Sequence, residues 1–282
     1  MTDQRIIWIA SFPKSGNTWA RILLAYYFLP KEAGLDINSI HKFTLSDMRR
    51  DFFERANGRP IEKLSFDEWL ALRSKVIPLI ARSKPDHHFV KTHCALAQVN
   101  GVPLIPPSCT AAALYFLRNP FDVAVSYARH LTVDVDVAID RMCAPENTNG
   151  SLQGIREPIG RWDSHVSTWT QAGGLHLKLF RYEDMLSNTE EQAKNLLSFL
   201  RIPVDLGKLR WAIRKASFKS LQKQESEMGF RERPQNMERF FVSGRSGTWK
   251  SELTAAQIDR IFHAFQSTIE RYYPELVTEV SG

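Results

Sequence analysis

Residues 6–10, Ile-Ile-Trp-Ile-Ala, form a short and almost wholly apolar run, the pattern of a strand covered on both faces in a parallel sheet. A loop with Pro13 and Gly16 follows. Residues 19–27 then combine few breakers with enough apolar positions for a largely buried helix. Similar units recur: strands are predicted at 88–92, 111–117 and 175–180, with helices over 122–130, after Pro120, and over 190–200. Strands alternating with helices predict an α/β fold, a central parallel β-sheet flanked by helices, with ligands at the carboxyl ends of the strands. Less regular stretches at 31–60, 132–161 and 223–247 are expected to be lids or binding loops, although 145–154 reads equally well as a surface excursion. With no internal repeat, low-complexity tract or clear linker, residues 1–282 read as a single domain.

Composition narrows this picture only a little. The chain is 43% hydrophobic and 24% charged, ample for a packed core. No apolar run approaches the roughly 20 residues that span a bilayer, and the residues before Ile6 lack a signal peptide's apolar stretch. Cys94, Cys109 and Cys143 have neither metal-like spacing nor a disulfide framework, so they are expected to be small buried residues in a cytoplasmic protein. A net charge of +6 suits a phosphorylated small molecule, a nucleic acid or an anionic surface, and the lack of a long Lys/Arg run argues against nucleic acid.

The candidate chemistry lies at strand ends. After the first strand, Lys14, Ser15, Gly16, Asn17 and Thr18 meet a helix amino terminus, where free N–H groups and the helix dipole favour an anion. Lysine precedes Gly16 instead of following it, so this is not Walker A, and alone the stretch fits a plain strand-to-helix turn equally well. After the third strand comes Arg118-Asn119-Pro120, a cation where many ATP-using enzymes hold a magnesium-binding carboxylate. Ser126 falls in the next helix's early turns, so Arg118 and Ser126 can share one phosphate, unless Arg118 merely pairs with Asp122. Two cationic phosphate sites without an acidic metal ligand suggest a nucleotide with two separate phosphates and metal-free chemistry.

These residues resemble the PAPS-dependent sulfotransferase family of cytosolic type, bacterial members included, over most of the chain. Residues 14–19 resemble its 5′-phosphosulfate loop, Arg118 with Ser126 its 3′-phosphate site, and Lys91-Thr92-His93 the strand end carrying its catalytic base. Further matches are Tyr182-Glu183-Asp184-Met185, Ala216-Ser217-Phe218 and the stretch 244–250. The resemblance implies PAPS as co-substrate, PAP as product and no metal. It also implies that Trp19, Tyr182 and Phe218 frame the adenine, that Ser217 helps bind the nucleotide, and that Gly244, Arg245, Ser246 and Gly247 close over the 3′-phosphate. Three departures stand out. Val242-Ser243 replaces the Arg-Lys of animal members, with Arg245 as a substitute cation; Ala216 replaces a threonine; and 250–259 follows the animal dimer motif only in part, leaving monomer or homodimer open.

Sulfuryl transfer needs a base for the acceptor proton and positive charge for the departing phosphate oxygen. His93 is the expected base. Lys91, two residues earlier on the same strand face, would hold the sulfuryl oxygens or the acceptor, and Lys14 would stabilise the leaving group. The acceptor is expected to be a small molecule of phenolic or other hydrophobic kind. Phe43, Phe52, Phe53, Trp69, His130 and residues 133–161 are the candidate walls of its pocket. Two alternatives stay open, a nucleotide kinase, which would need a magnesium site, and a non-catalytic module binding nucleotides or polyanions.

Overall fold

The computed structural model describes residues 5–150 and 154–281; the amino-terminal reading and the middle of the 145–154 excursion lie outside the described residues. Five parallel strands form the central sheet: β1 (Ile6–Ser11), β2 (Leu45–Ser46), β3 (His88–Thr92), β4 (Thr110–Leu117) and β5 (Leu177–Arg181), in the order β2-β3-β1-β4-β5. The order follows from burial. Along β1 and β4, alternate residues enter opposite cores: Trp8, Ala10, Tyr115 and Leu117 pack on one face, Ile9, Leu114 and Phe116 on the other. Strands buried on both faces have to occupy the middle of the sheet. The shortest strand, β2, lies at one edge, where only β3 needs to be paired.

Helix α1 (Asn17–Phe28) covers one face, burying Leu23, Leu24, Tyr26 and Tyr27. Helix α2 (Pro120–Leu131) starts from Asn119, whose side-chain oxygen accepts from the Asp122 N–H at 2.8 Å, with Pro120 in the first turn. Helix α3 (Phe218–Met228) buries Leu221 in the same core as α1.

The three irregular stretches need correction. The first contains short helices at Ile40–Phe43 and Arg50–Asn57 and supplies β2 itself. The second folds as a helix, Val135–Cys143, and a hairpin pairing Thr148–Gly150 with Arg156–Pro158. The third starts inside α3, and only the part after Met228 lacks helix or strand. Helix Phe66–Ala81, held by a Ser65/Glu68 capping box, was not among the predicted elements, although Trp69, Leu72, Arg73, Val76, Ile77 and Ile80 are buried at helical spacing along one face. Cys94 and Cys109 are buried and Cys143 half-buried. Among the described residues, no helix is long and apolar enough to cross a membrane.

Candidate active site

The loop from β1 to α1 is built for close approach. Lys14 and Gly16 both have left-handed backbone (φ 68° and 93°), a conformation that costs a lysine about 1–2 kcal/mol and a glycine little. Asn17 ties the loop down, its amide donating to the Ile9 carbonyl at 2.9 Å and to Ser11 Oγ at 3.3 Å. No side chain caps α1, so its first N–H groups stay available to an anion. The Thr18 hydroxyl accepts from Arg21 at 3.2 Å, and the buried Ser15 Oγ has no partner. Lys14 Nζ lies 4.6 Å from the Phe240 ring centre; burial first, then the Arg118 charge, push its pKa down to about 8.

A Cβ on Gly16 would stand 2.6 Å from the Tyr182 ring in a backbone conformation that L residues rarely adopt. Gly16→Ala is therefore expected to weaken binding of PAP, the product that the resemblance implies, at least about tenfold, read by calorimetry, through displacement of Tyr182 or of the loop. Parent-like affinity would show that the close approach is dispensable. The same arrangement recurs at Gly244 (φ 58°), where a Cβ would overlap the Phe218 ring.

At the end of β4, Arg118 is buried rather than on the surface. Its guanidinium donates to the carbonyls of Lys14 (3.3 Å) and Arg245 (3.0 Å), and sits 4.5 Å from the Tyr182 ring centre. Asp122 lies 3.6 Å away, and Arg118 Nε has no partner. Asp122 has a second task that the sequence did not announce. Its carboxylate accepts from Ser246 Oγ (3.1 Å), Gly247 N (2.8 Å), Thr248 Oγ1 (3.2 Å) and Trp249 N (3.2 Å). Burial opposes its charge, yet Arg118, Asn119 and these N–H groups hold its pKa below the usual carboxylate value. The carboxyl-terminal loop is thus fastened to α2. Ser246 and Gly247 spend their donors on Asp122, and Arg245 is exposed and does not line the cavity, which corrects its expected place as a substitute cation.

At the end of β3, His93 Nδ1 lies 2.7 Å from the Ser11 carbonyl oxygen. A carbonyl only accepts, so Nδ1 carries the hydrogen and Nε2 keeps its lone pair. Burial, followed by the charge on Lys91, holds the imidazole pKa well below its ordinary value. The surrounding turn is fixed from every side. Glu157 accepts the His93 N–H (3.2 Å), His165 Nε2 donates to the His93 carbonyl (3.2 Å), and the Thr92 hydroxyl donates to buried Asp47 (2.8 Å), itself paired with Arg73 (2.7 Å). Lys91 Nζ is 3.5 Å from Glu157 Oε1, so it meets a carboxylate that the sequence reading did not foresee.

One cavity of about 850 Å³ joins these strand ends. Lys14, Gly16, Asn17, Thr18, Trp19, Lys91, His93, Arg118, Ser126, Tyr182, Ser217, Phe218 and Gly244 all line it. Trp19 and Tyr182 meet edge to face at 6.0 Å, and Trp19 Nε1 donates to the Ala216 carbonyl at 2.9 Å. Across the opening, Glu232 forms a bidentate pair with buried Arg21 at 3.0 and 2.5 Å. The acceptor-wall expectation is only partly met. His130 lines the cavity, whereas Phe43, Phe52, Phe53 and Trp69 are spent in the two cores. The local sequence offers Asp122 only as a partner for Arg118 and does not signal its hold on residues 246–249, nor Glu157 or Glu232 as members of the site, because those partners are distant along the chain. Among the described residues, no group of three or more His, Cys, Asp or Glu could hold a metal ion.

Comparison with known proteins gives a consistent picture. The family model described as "Sulfotransferase domain" matches residues 4–273. Cytosolic sulfotransferase 10 of Arabidopsis thaliana is 25% identical over 268 residues, covering 90% of this chain and 74% of that protein. Among solved structures, retinol dehydratase in complex with androsterone and the inactive cofactor PAP is similar with a TM-score of 0.63 at 18% identity, over 96% of this chain and 82% of that one. A mouse sulfotransferase complexed with PAP also has a TM-score of 0.63, at 15% identity, over 99% and 90% of the two chains.

Proposed function

Because this chain belongs to the sulfotransferase-domain family, we propose that it transfers the sulfuryl group of PAPS to a small-molecule acceptor by in-line displacement, with His93 as general base. The observation that carries this reading is the single cavity containing Lys14, Arg118 and His93. In sheet order, Tyr182 after β5, Arg118 after β4, Lys14 after β1 and His93 after β3 follow one another as adenine, 3′-phosphate, phosphosulfate and acceptor oxygen would. The unpartnered Arg118 Nε and the uncapped α1 terminus fit two anionic groups.

In this reading Tyr182, Trp19 and Phe218 hold the adenine, and Arg118 with Ser126 binds the 3′-phosphate. Lys14, Thr18 and the α1 N–H groups bind the 5′ end. His93 Nε2 takes the acceptor proton as the acceptor oxygen bonds to sulfur. The bond from sulfur to the bridging oxygen breaks, and Lys14 offsets the charge left on that oxygen. Lys91, neutralised in part by Glu157, faces the transferring group. The chain acts as one unit in which the stretch after Met228 forms the lid.

Incubating purified protein with sulfur-labelled PAPS, mixed acceptors and a chelator is expected to give labelled ester and PAP. Failure to bind PAPS, with ATP and magnesium bound instead, would favour the kinase alternative and end this reading.

A further inference from the structure

The cavity continues past His93 towards the β2 edge, where its wall is polar. Ser46 and Arg49 come from β2 and the residues after it, Thr44 from just before it, Lys91 from β3, Glu157 from the hairpin and Glu232 from the lid. The charges at this end pair among themselves: Lys91 with Glu157 at 3.5 Å, Glu232 with Arg21 at 2.5 Å, and Arg49 with Asp51 at 2.6 Å. What remains unspent is uncharged hydrogen-bonding capacity. Thr44, only 3% exposed, has no partner for Oγ1, and His130 has none for Nδ1. Desolvation by burial, with the charges of Lys14 and Lys91, lowers the His130 pKa to about 4, so this imidazole is neutral near pH 7.

Building on the sulfuryl-transfer reading, we infer that the acceptor is a neutral, polyhydroxylated molecule of the glycoside class rather than a flat apolar phenol. A fused apolar ring seated at this end would strip water from Lys91 and Glu157 and leave Thr44 and His130 unpartnered, both of which oppose binding. An ionic acceptor would compete with a wall charge that already has its counter-ion. A hydroxyl both donates and accepts, so several of them can serve carboxylate lone pairs and Lys or Arg N–H groups together. Met237 and Phe240, on the lid side, offer apolar surface to the C–H face of such a molecule.

The test compares kcat/KM for neutral alkyl glycosides, 2-naphthol and an alkyl glucuronide, using sulfur-labelled PAPS, with PAP affinity measured in parallel by calorimetry. Neutral glycosides are expected to exceed both others by about tenfold or more. Thr44→Val should lower their kcat/KM about tenfold while PAP affinity holds, which also shows that the variant folds. A preference for 2-naphthol or the glucuronide overturns the inference. So does intact PAPS binding with no neutral glycoside sulfated, or a Thr44→Val enzyme with parent-like glycoside kinetics. Loss of PAPS binding in the parent protein would instead remove the sulfuryl-transfer reading on which the inference rests.

Discussion

His93→Ala is expected to lower turnover about 10²–10⁴-fold while leaving PAP affinity at the parent value. The expectation follows from the hydrogen on Nδ1, which the Ser11 carbonyl fixes at 2.7 Å and which leaves Nε2 ready to take a proton. The pH profile supplies an independent readout. Only the neutral imidazole accepts a proton, and the folded pKa is held well below the ordinary value. Activity should therefore persist from neutral pH down past about 6.5 and fall only as pH drops through the lowered pKa. On the alkaline side the sign reverses, because the role proposed for Lys14 needs its cationic form. With its pKa pushed down to about 8, kcat/KM should decline as pH rises through that value. An acid limb centred at or above about 6.5, or a His93→Ala enzyme turning over within a few-fold of the parent, would remove His93 from the base role.

Asp122→Ala should cause the largest loss of stability in the site, about 3–5 kcal/mol, together with loss of most PAP affinity. The truncation would strand Ser246 Oγ, Gly247 N, Thr248 Oγ1 and Trp249 N around an apolar side chain and leave Arg118 without its nearby carboxylate. Arg118 would still hold the Lys14 and Arg245 carbonyls, but the Gly244 turn against Phe218 would lose its anchor. Asp122→Asn is the gentler comparison. It keeps the volume, turns one acceptor into a donor and should fall between the two in thermal midpoint. A thermal midpoint and PAP affinity equal to the parent's in Asp122→Ala would mean that the loop is held by other contacts.

Much of this arrangement was legible in sequence because it is local. The strands at 6–10, 88–92 and 111–117 were each found within about two residues of their predicted limits, the first and third being largely apolar runs. Lys14, Arg118 and His93, which line one cavity, could be marked as candidates because each lies within three residues of a strand's carboxyl end. β2 was not legible, since two residues carry no period, and its place at the sheet edge depends on pairing with a strand more than 40 residues away. The same reason hides Glu157, Glu232 and the loop-anchoring task of Asp122, whose partners there lie 64 to 211 residues away. The aromatic residues misled in the opposite direction. Phe43, Phe52, Phe53 and Trp69 stand near the site in sequence, yet the demand for apolar packing beneath β2 and β3 took them inward.

The strand order has a consequence for how this molecule could diversify. The residues proposed to face the nucleotide follow β1, β4 and β5, whereas the far end of the cavity is lined from the two-residue edge strand and from the hairpin. Inherited changes at that margin can alter selectivity while the interior strands go on presenting the same cationic groups. A segment transplanted between relatives over residues 41–49 would be the smallest exchange able to move that boundary.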